Sequence, residues 1–361
     1  MMRIFQNSGL SRGFLVHRGR VDYRNFADGV TRFLDDRYGA LHFLKPVLEG
    51  APEAFFTNGD DELLQRHWAR EQGMAGKPTL ETILLAQIEH HRTEVFYNLD
   101  PVRYPSTFVG KLPGCVRTSF CWRAAPSGNA DLTAYGAVLG NFPSILESWR
   151  QRGCRAELFY PALDPLMERY GHGERPIDVL FVGGYSRHHT ARARILEQVA
   201  SLADSRRVVY CLEVSRLTVL AESAIGRWLP LQKHRRPDAI ARIANPPVFG
   251  RSLYELIGSS KIVLNGAIDM AGEDRGNMRC FEAMGSGALL VSDAGRYPEG
   301  MEAGETMSVY QNGGDCLGQI ESCLSDWSAA KQKADRGRSK IRDLYSKERQ
   351  WALFQKLLER F

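Results

Sequence analysis

The chain has 361 residues, 43% of them hydrophobic and 25% charged, and a net charge of +5 at pH 7. That length exceeds one ordinary core and fits two domains of about 170 residues each, with the composition of a globular protein. No apolar run approaches the ~20 residues needed to span a bilayer, the first twenty residues lack a signal-peptide core, and no repeat, low-complexity tail or nucleic-acid motif is present, so a cytoplasmic protein is expected.

In chain order, Arg3 to Gln6 reads as a short strand, and Asn7, Ser8 and Gly9 form the turn after it, a place where a doubly wound sheet binds ligands. Asp28 can cap a helix whose apolar positions Val30, Phe33, Leu34, Tyr38 and Leu41 keep helical spacing, and Asp60 to Gln72 is a more polar helix. Pro78 and Thr79 start a further helix, followed by the strand Glu94 to Asn98. Asp100-Pro101 turns the chain out at the carboxyl end of that strand, which makes Asp100 a candidate for acceptor binding or general-base work as well as a plain turn former. Cys115 to Trp122 reads as a strand and the segment RAAPSGNADL as an exposed loop. Ala137 to Leu139 is another strand, Pro143 to Arg152 a helix and Ala156 to Tyr160 a strand. Pro161 to Pro176, rich in Pro, Gly and charge, is expected to be a hinge.

The second half opens on the strand Ile177 to Val182 and the run Gly183-Gly184-Tyr185-Ser186-Arg187-His188-His189-Thr190, which leads into a helix from Ala191 to Leu202. Paired glycines let backbone approach a ligand, and free N–H groups at the helix start suit an anion. Arg187 and at least one of the pair His188 and His189 then become candidates for neutralising a diphosphate, the histidines also available as an acid or base or simply as polar residues in the helix's first turn. The run is not GxGxxG, so a dinucleotide fingerprint is missing, and no acidic ribose ligand is evident. Arg207 to Val214 is a strand, and Lys233, His234, Arg235 and Arg236 read as a solvated face. Asn245 to Gly250 is a loop before the amphipathic helix Ser252 to Ile257.

From Ser259 to Asp293 the chain packs a strand, a loop rich in Gly and acids, a short helix and a second strand into one unit. Ile262, Val263 and Leu264 are the first buried strand, and Ala288 to Val291 the second. Asn277 can cap the helix between them. Met278, Phe281 and Met284 share its apolar face, Arg279 and Glu282 another, and Gly285 and Gly287 end it. A helix start behind a glycine-containing loop suits a pyrophosphate, Arg279 would strengthen that, and Glu282 is placed for a sugar or ribose hydroxyl.

The segment NMRCFEAMGSGALLVSD resembles the donor-binding segment of bacterial GT-B glycosyltransferases, in particular the group-1-like, CgeB-like family. The resemblance is clear from about residue 177 onward and weak before it. Retaining members of the wider superfamily carry two glutamates with seven residues between them across this loop and helix, and here the same spacing separates Asp274 from Glu282. The resemblance implies an α/β GT-B architecture, two Rossmann-like domains facing an interdomain cleft. Residues 1–165 would form the acceptor-binding domain and 177–340 the donor-binding domain, with 341–361 a last helix packing back toward the first. Donor binding would fall to Gly183, Gly184, Arg187, Asn277, Arg279 and Glu282, and catalysis to Asp274, His188 and Asp100. A sugar would pass from a nucleotide-sugar donor to a hydroxyl of a glycan, lipid-linked or small-molecule acceptor in bacterial glycan or glycoconjugate biosynthesis.

No cofactor or metal is expected, because no DxD pair is present and fixed cations with helix starts can stabilise a leaving diphosphate. Seven cysteines, an odd number without metal-ligand spacing, argue for reduced thiols, with Cys115, Cys121 and Cys211 in strand-like runs. The mild positive charge fits a solvated surface, and also peripheral attachment to the anionic inner face of a membrane. A nucleotide-sugar-binding scaffold without turnover and an NAD-linked α/β enzyme are the competing readings.

Overall fold

The computed structural model describes residues 2–126, 128–185, 189–266 and 271–361, with only the backbone of Arg227. The chain forms two compact units, one of Met1–Asp164, Met270–Asp274 and Tyr345–Phe361, the other of Pro165–Asp269 and Arg275–Leu344.

The first unit holds a parallel sheet of β1 (Ile4–Ser8), β2 (Ala54–Asn58), β3 (Val95–Asn98), β4 (Thr118–Trp122), β5 (Ala137–Gly140) and β6 (Ala156–Leu158). Its strand order is β2-β1-β3-β4-β5-β6. The inner strands β1, β3, β4 and β5 are buried almost throughout, as strands connected by helical crossovers must be, while the edge strands β2 and β6 are partly open. β2 was not expected from the sequence, and the strand expected from Cys115 begins only at Thr118, leaving Cys115 outside it. Asp28 does not cap its helix. Asn25 does, accepting from the Asp28 N–H at 2.8 Å, while Asp28 sits in the first turn between Arg24 and Arg32. An acid there faces the positive end of the helix dipole without being the cap. The terminal helix Lys347–Leu358 lies on this sheet. The Phe354 ring meets Tyr97, Phe120 and Phe159 at 5.2, 5.6 and 5.9 Å, and Phe361 meets Phe120 at 5.2 Å.

The second unit holds a parallel sheet of β7 (Ile177–Gly184), β8 (Val208–Glu213), β9 (Ala244–Asn245), β10 (Ser260–Leu264), β11 (Leu289–Asp293) and β12 (Ser308–Tyr310). The order β12-β11-β10-β7-β8-β9 is the Rossmann order, with chain direction across the sheet reversing between β7 and β10. The helix Met278–Gly285 stands between β10 and β11, and Gly287 closes it at φ 71°.

The boundary between the two units, Asp164 to Pro165, falls within residues 161–176, and the chain on either side of it packs onto its own unit. Ala162 and Leu163 donate to the carbonyls of Leu41 and Tyr345 within the first unit, while Leu166 and Met167 are buried in the 3₁₀ turn Pro165–Tyr170 of the second. The helix Gly250–Gly258 rests on that turn so closely that a Cβ on Gly258 would fall 2.1 Å from the Tyr170 carbonyl oxygen. Gly258→Ala is expected to cost about 1–3 kcal/mol or more, as backbone cannot yield like a side chain. Urea denaturation measures it.

Candidate functional site

In open α/β sheets the crevice for ligands opens where the connections leave neighbouring strands in opposite directions. In the second unit this is the carboxyl end of β7 and β10, which places Gly183 and Gly184 on one strand and Asn265 and Gly266 just past the other.

A cation occupies this position that the sequence reading missed. Arg192, in the first turn of the helix Thr190–Ala200, lays its guanidinium 5.0 Å from the centre of the Phe181 ring. A Cβ on Gly183 would come within 2.7 Å of its Nη2, so the glycine is what admits the arginine. Its Nε is buried and has no hydrogen-bond partner. Burial draws this guanidinium below its usual range, against the pull of Tyr310 and Asp293. The signal in sequence was the arginine in the first turn behind Gly183-Gly184. Of the residues assigned from that run, Arg187 and His188 lie outside the described residues.

On the other side of the crevice, Asn265 is fully engaged. Its N–H donates to Val291 O at 2.9 Å, its carbonyl accepts from the Tyr310 hydroxyl at 2.7 Å, and its Nδ2 donates to Ser292 Oγ at 3.0 Å. Asn277 stands at the N-cap position but makes no cap bond with its side chain, whose Nδ2 donates to Asn265 Oδ1 at 3.2 Å. Asp293, at the end of β11, accepts from Arg275 Nε at 2.6 Å. The polar floor of the crevice is thus preorganised by its own hydrogen bonds.

Arg279 and Glu282 do share a face, as a buried ion pair at 2.5 Å with side chains 17% and 5% exposed. Burial raises the Glu282 pKa and Arg279 opposes it. Arg279 Nε is buried without a partner. The Cys280 thiol between them is pushed up to about 12 by burial, so it is no nucleophile.

Beside Gly184 a pocket of 520 Å³ opens, lined among others by Tyr185, Glu213, Ser215, Lys233 and His234. Glu213 ends β8, where Rossmann folds carry their acidic ribose ligand, so that position is filled although the sequence reading found none. Arg235 and Arg236 are not merely solvated. Arg235 donates to the carbonyls of Ala221 and Gly226, and Arg236 forks onto Glu222 at 2.8 and 2.5 Å.

The remaining candidates belong to the first unit. Asp274 is buried, and its Oδ2 accepts from the Ser144 N–H at 2.7 Å in the first turn of the helix Pro143–Arg150, which lacks a side-chain cap of its own. Asp274 and Glu282, paired by spacing, therefore belong to different units. Asp100 follows β3, its N–H donating to Asn98 Oδ1 at 3.0 Å and its carboxylate paired with Arg103 at 3.1 Å. Asp60, after the unexpected β2, stands against the same Arg103. Among the described residues no group of three His, Cys, Asp or Glu could hold a metal ion.

Residues 187–356 match the model of a family described as "Glycosyl transferase-like". Among solved structures, HepE from Anabaena, in complex with UDP and glucose, is similar at 12% identity over 100% of both chains, with a TM-score of 0.62. A glycosyltransferase from Rickettsia africae ESF-5 follows at 11% identity over 99% of this chain and 97% of that one, with a TM-score of 0.58. Sucrose-phosphate synthase from Thermosynechococcus elongatus matches at 11% identity over 100% and 99%, with a TM-score of 0.57. No curated protein matches the sequence.

Proposed function

We propose that this chain, a glycosyltransferase by its matched family and its GT-B type of fold, takes a sugar from a UDP-linked donor and passes it to an acceptor hydroxyl without a metal ion. The observation that carries the donor site is Arg192, a cation with an unsatisfied buried N–H at the glycine end of β7, where a diphosphate would complete its hydrogen bonds. Gly183, Gly184, Asn277, Arg279 and Glu282 surround the same crevice or the helix behind it, and Arg187 and His188 would add charge from the run between them. UDP as the carrier is what the HepE complexes hold. The CgeB-like assignment rests on the segment around Arg279 and Glu282.

The acceptor belongs to the first unit, at the carboxyl ends of β1, β2 and β3, where Asp100 stands. Asp274, bound to the start of a helix, serves to position its loop. Glycan or glycoconjugate assembly on the inner face of the membrane fits the exposed Ile225 and Trp228, 75% and 92% accessible. Among the described residues no helix is long and apolar enough to cross a membrane. Co-sedimentation with anionic vesicles, lost in Trp228→Ser, tests that attachment.

The deciding measurement is thermal denaturation with UDP, UDP-glucose, GDP, ADP and NAD, each with and without EDTA. A ligand at a hundred times its Kd adds about 2.7 kcal/mol of stability. UDP compounds are expected to raise the melting temperature equally in EDTA, and Arg192→Gln to weaken them by about 1.5–3 kcal/mol. A shift by NAD alone, or by none, sinks the donor assignment, and a UDP shift abolished by EDTA sinks metal independence.

A further inference from the structure

The first unit has a second opening, at the end of its sheet away from Asp100. Around the starts of β4 and β5 lies a pocket of 410 Å³, a volume within the range of small-molecule sites. All its lining residues belong to the first unit. β3 pairs with β4 from Val95 opposite Thr118 to Asn98 opposite Cys121, and Asp100 follows the far end, so the length of a strand, about 10 Å or more, lies between the two places.

One wall of the pocket is apolar. Val109, at the end of the helix Ser106–Val109, packs with Leu112 and Val116 onto the core of the unit, and all three are only half-buried, leaving the rest of their surface to the pocket. The Phe361 ring, set on Phe120 at 5.2 Å, continues this wall.

The other wall is cationic. Arg155 lays its guanidinium 5.4 Å from the centre of the Phe361 ring, and its exposed side chain makes no hydrogen bond or ion pair among the described residues. Arg117, 78% exposed, reaches the Glu94 carboxylate at 3.3 Å, and an ion pair so open to water holds it too weakly to keep it from a ligand. Among the described residues no acid lines the pocket.

Between the walls stands a free hydroxyl. Thr118, half-buried at the start of β4, has no hydrogen-bond partner for its Oγ among the described residues. Gly136 keeps that oxygen clear, since a Cβ there would stand 2.8 Å from Thr118 Oγ and 3.0 Å from the Ser119 carbonyl oxygen, to which the Gly136 N–H donates at 2.8 Å.

Cations without a balancing acid, a hydroxyl and an apolar wall in one concavity select a ligand with an anionic head and an apolar body. We propose that this pocket binds a small organic anion, a carboxylate or phosphate held by Arg155, Arg117 and Thr118 Oγ, with its body against Val109, Leu112 and Val116. The site lies apart from the donor crevice and from the acceptor end of the same sheet.

Isothermal titration of the full chain with phenyl phosphate, benzoate, inorganic phosphate and benzyl alcohol tests it. At least one of phenyl phosphate and benzoate is expected to bind, and the tighter of them names the anion. Inorganic phosphate, which lacks the apolar body, and benzyl alcohol, which lacks the charge, are expected to bind about tenfold more weakly or not at all. Arg155→Gln is expected to weaken the anion about tenfold, the scale of one hydrogen bond to a charged group, and Thr118→Val about threefold. Neither side chain makes a hydrogen bond within the described fold, so both variants are expected to melt where the parent does without ligand. A phosphate can also enter the donor crevice, so each titration is repeated with UDP in excess. Binding that survives UDP and weakens in Arg155→Gln supports the pocket. Binding abolished by UDP belongs to the second unit and overturns it, as does equal binding in the parent and both variants, inorganic phosphate or benzyl alcohol binding as tightly as the two-ended probes, or no binding of either of those probes. Should UDP itself not bind, the donor reading fails, and Arg155→Gln still judges the pocket.

Discussion

Arg279→Ala is expected to lower stability by about 3–5 kcal/mol at pH 8 and by clearly less at pH 5. The reason is Glu282. With its side chain 5% exposed, the carboxylate has been taken out of water, and removing the guanidinium leaves it buried without a counter-charge. Its pKa, already raised by burial, rises further once the opposing effect of Arg279 is gone. A carboxyl whose folded value exceeds its unfolded one contributes stability below the unfolded value and loses it as pH climbs through the folded value, so the deficit must grow with alkalinity. Denaturation at the two pH values measures it. A loss of activity in Arg279→Ala alone would thus confuse a broken fold with a lost donor contact. The double variant Arg279→Met, Glu282→Gln separates them, since replacing both members of a buried pair restores much of the stability. If Arg279 also holds the diphosphate through its free Nε, UDP stabilises this folded double variant less than it stabilises Glu282→Gln alone. A normal UDP shift in it would confine Arg279 to the fold.

The second half of the chain was more legible than the first, for a physical reason. Between Ser259 and Asp293 each element is closed by its own punctuation, apolar strand, glycine-rich loop, spaced helix, Gly287, apolar strand, and the structure has β10, the helix Met278–Gly285 and β11 there. In the first unit β2 went unseen. Ala54-Phe55-Phe56-Thr57-Asn58 is only five residues long, and two acids follow within three positions, so the stretch merges with the polar helix behind it. Missing β2 hid Asp60, which stands just past the end of that strand against Arg103. Tertiary partners were equally invisible. Nothing in a linear reading tells that Asn277 spends its amide on Asn265, twelve residues back, or that Asp274 accepts from Ser144, 130 residues away. The Phe-Phe-Thr run before Asn-Gly was the available sign of β2.

Lys347→Met should destabilise the first unit by about 3–5 kcal/mol, a scale set by losing several bonds to a charged donor, each worth about 1.5–3 kcal/mol. The Lys347 side chain is buried at the start of the terminal helix and donates to the carbonyls of Ala40, Leu41 and Phe43 at 2.8, 3.0 and 2.7 Å. Burial draws its pKa down to about 7, yet three acceptors can be served at once only by the ammonium, which has three N–H donors where the neutral amine has two. The geometry therefore fixes the charged form. Gln350 adds bonds to Leu41 O and Tyr160 O, so this one helix turn ties residues 40–43 and 160 to the last segment of the chain. The same cation acts on His42, whose ring lies 4.5 Å from that of Trp122 and is held neutral, with a pKa of about 3, first by burial and then by Lys347. A histidine with a depressed folded value contributes stability above its unfolded value that disappears as pH falls. Lys347→Met relieves part of that depression, so the variant is less stable at pH 7.5 but loses less of its stability on going down to pH 3, where the folded ring itself titrates. Chemical denaturation of parent and variant at both pH values tests the pair of effects. A variant as stable as the parent at pH 7.5 would refute the ammonium as the anchor of the terminal helix. Parallel acid losses in the two proteins would refute its hold on His42.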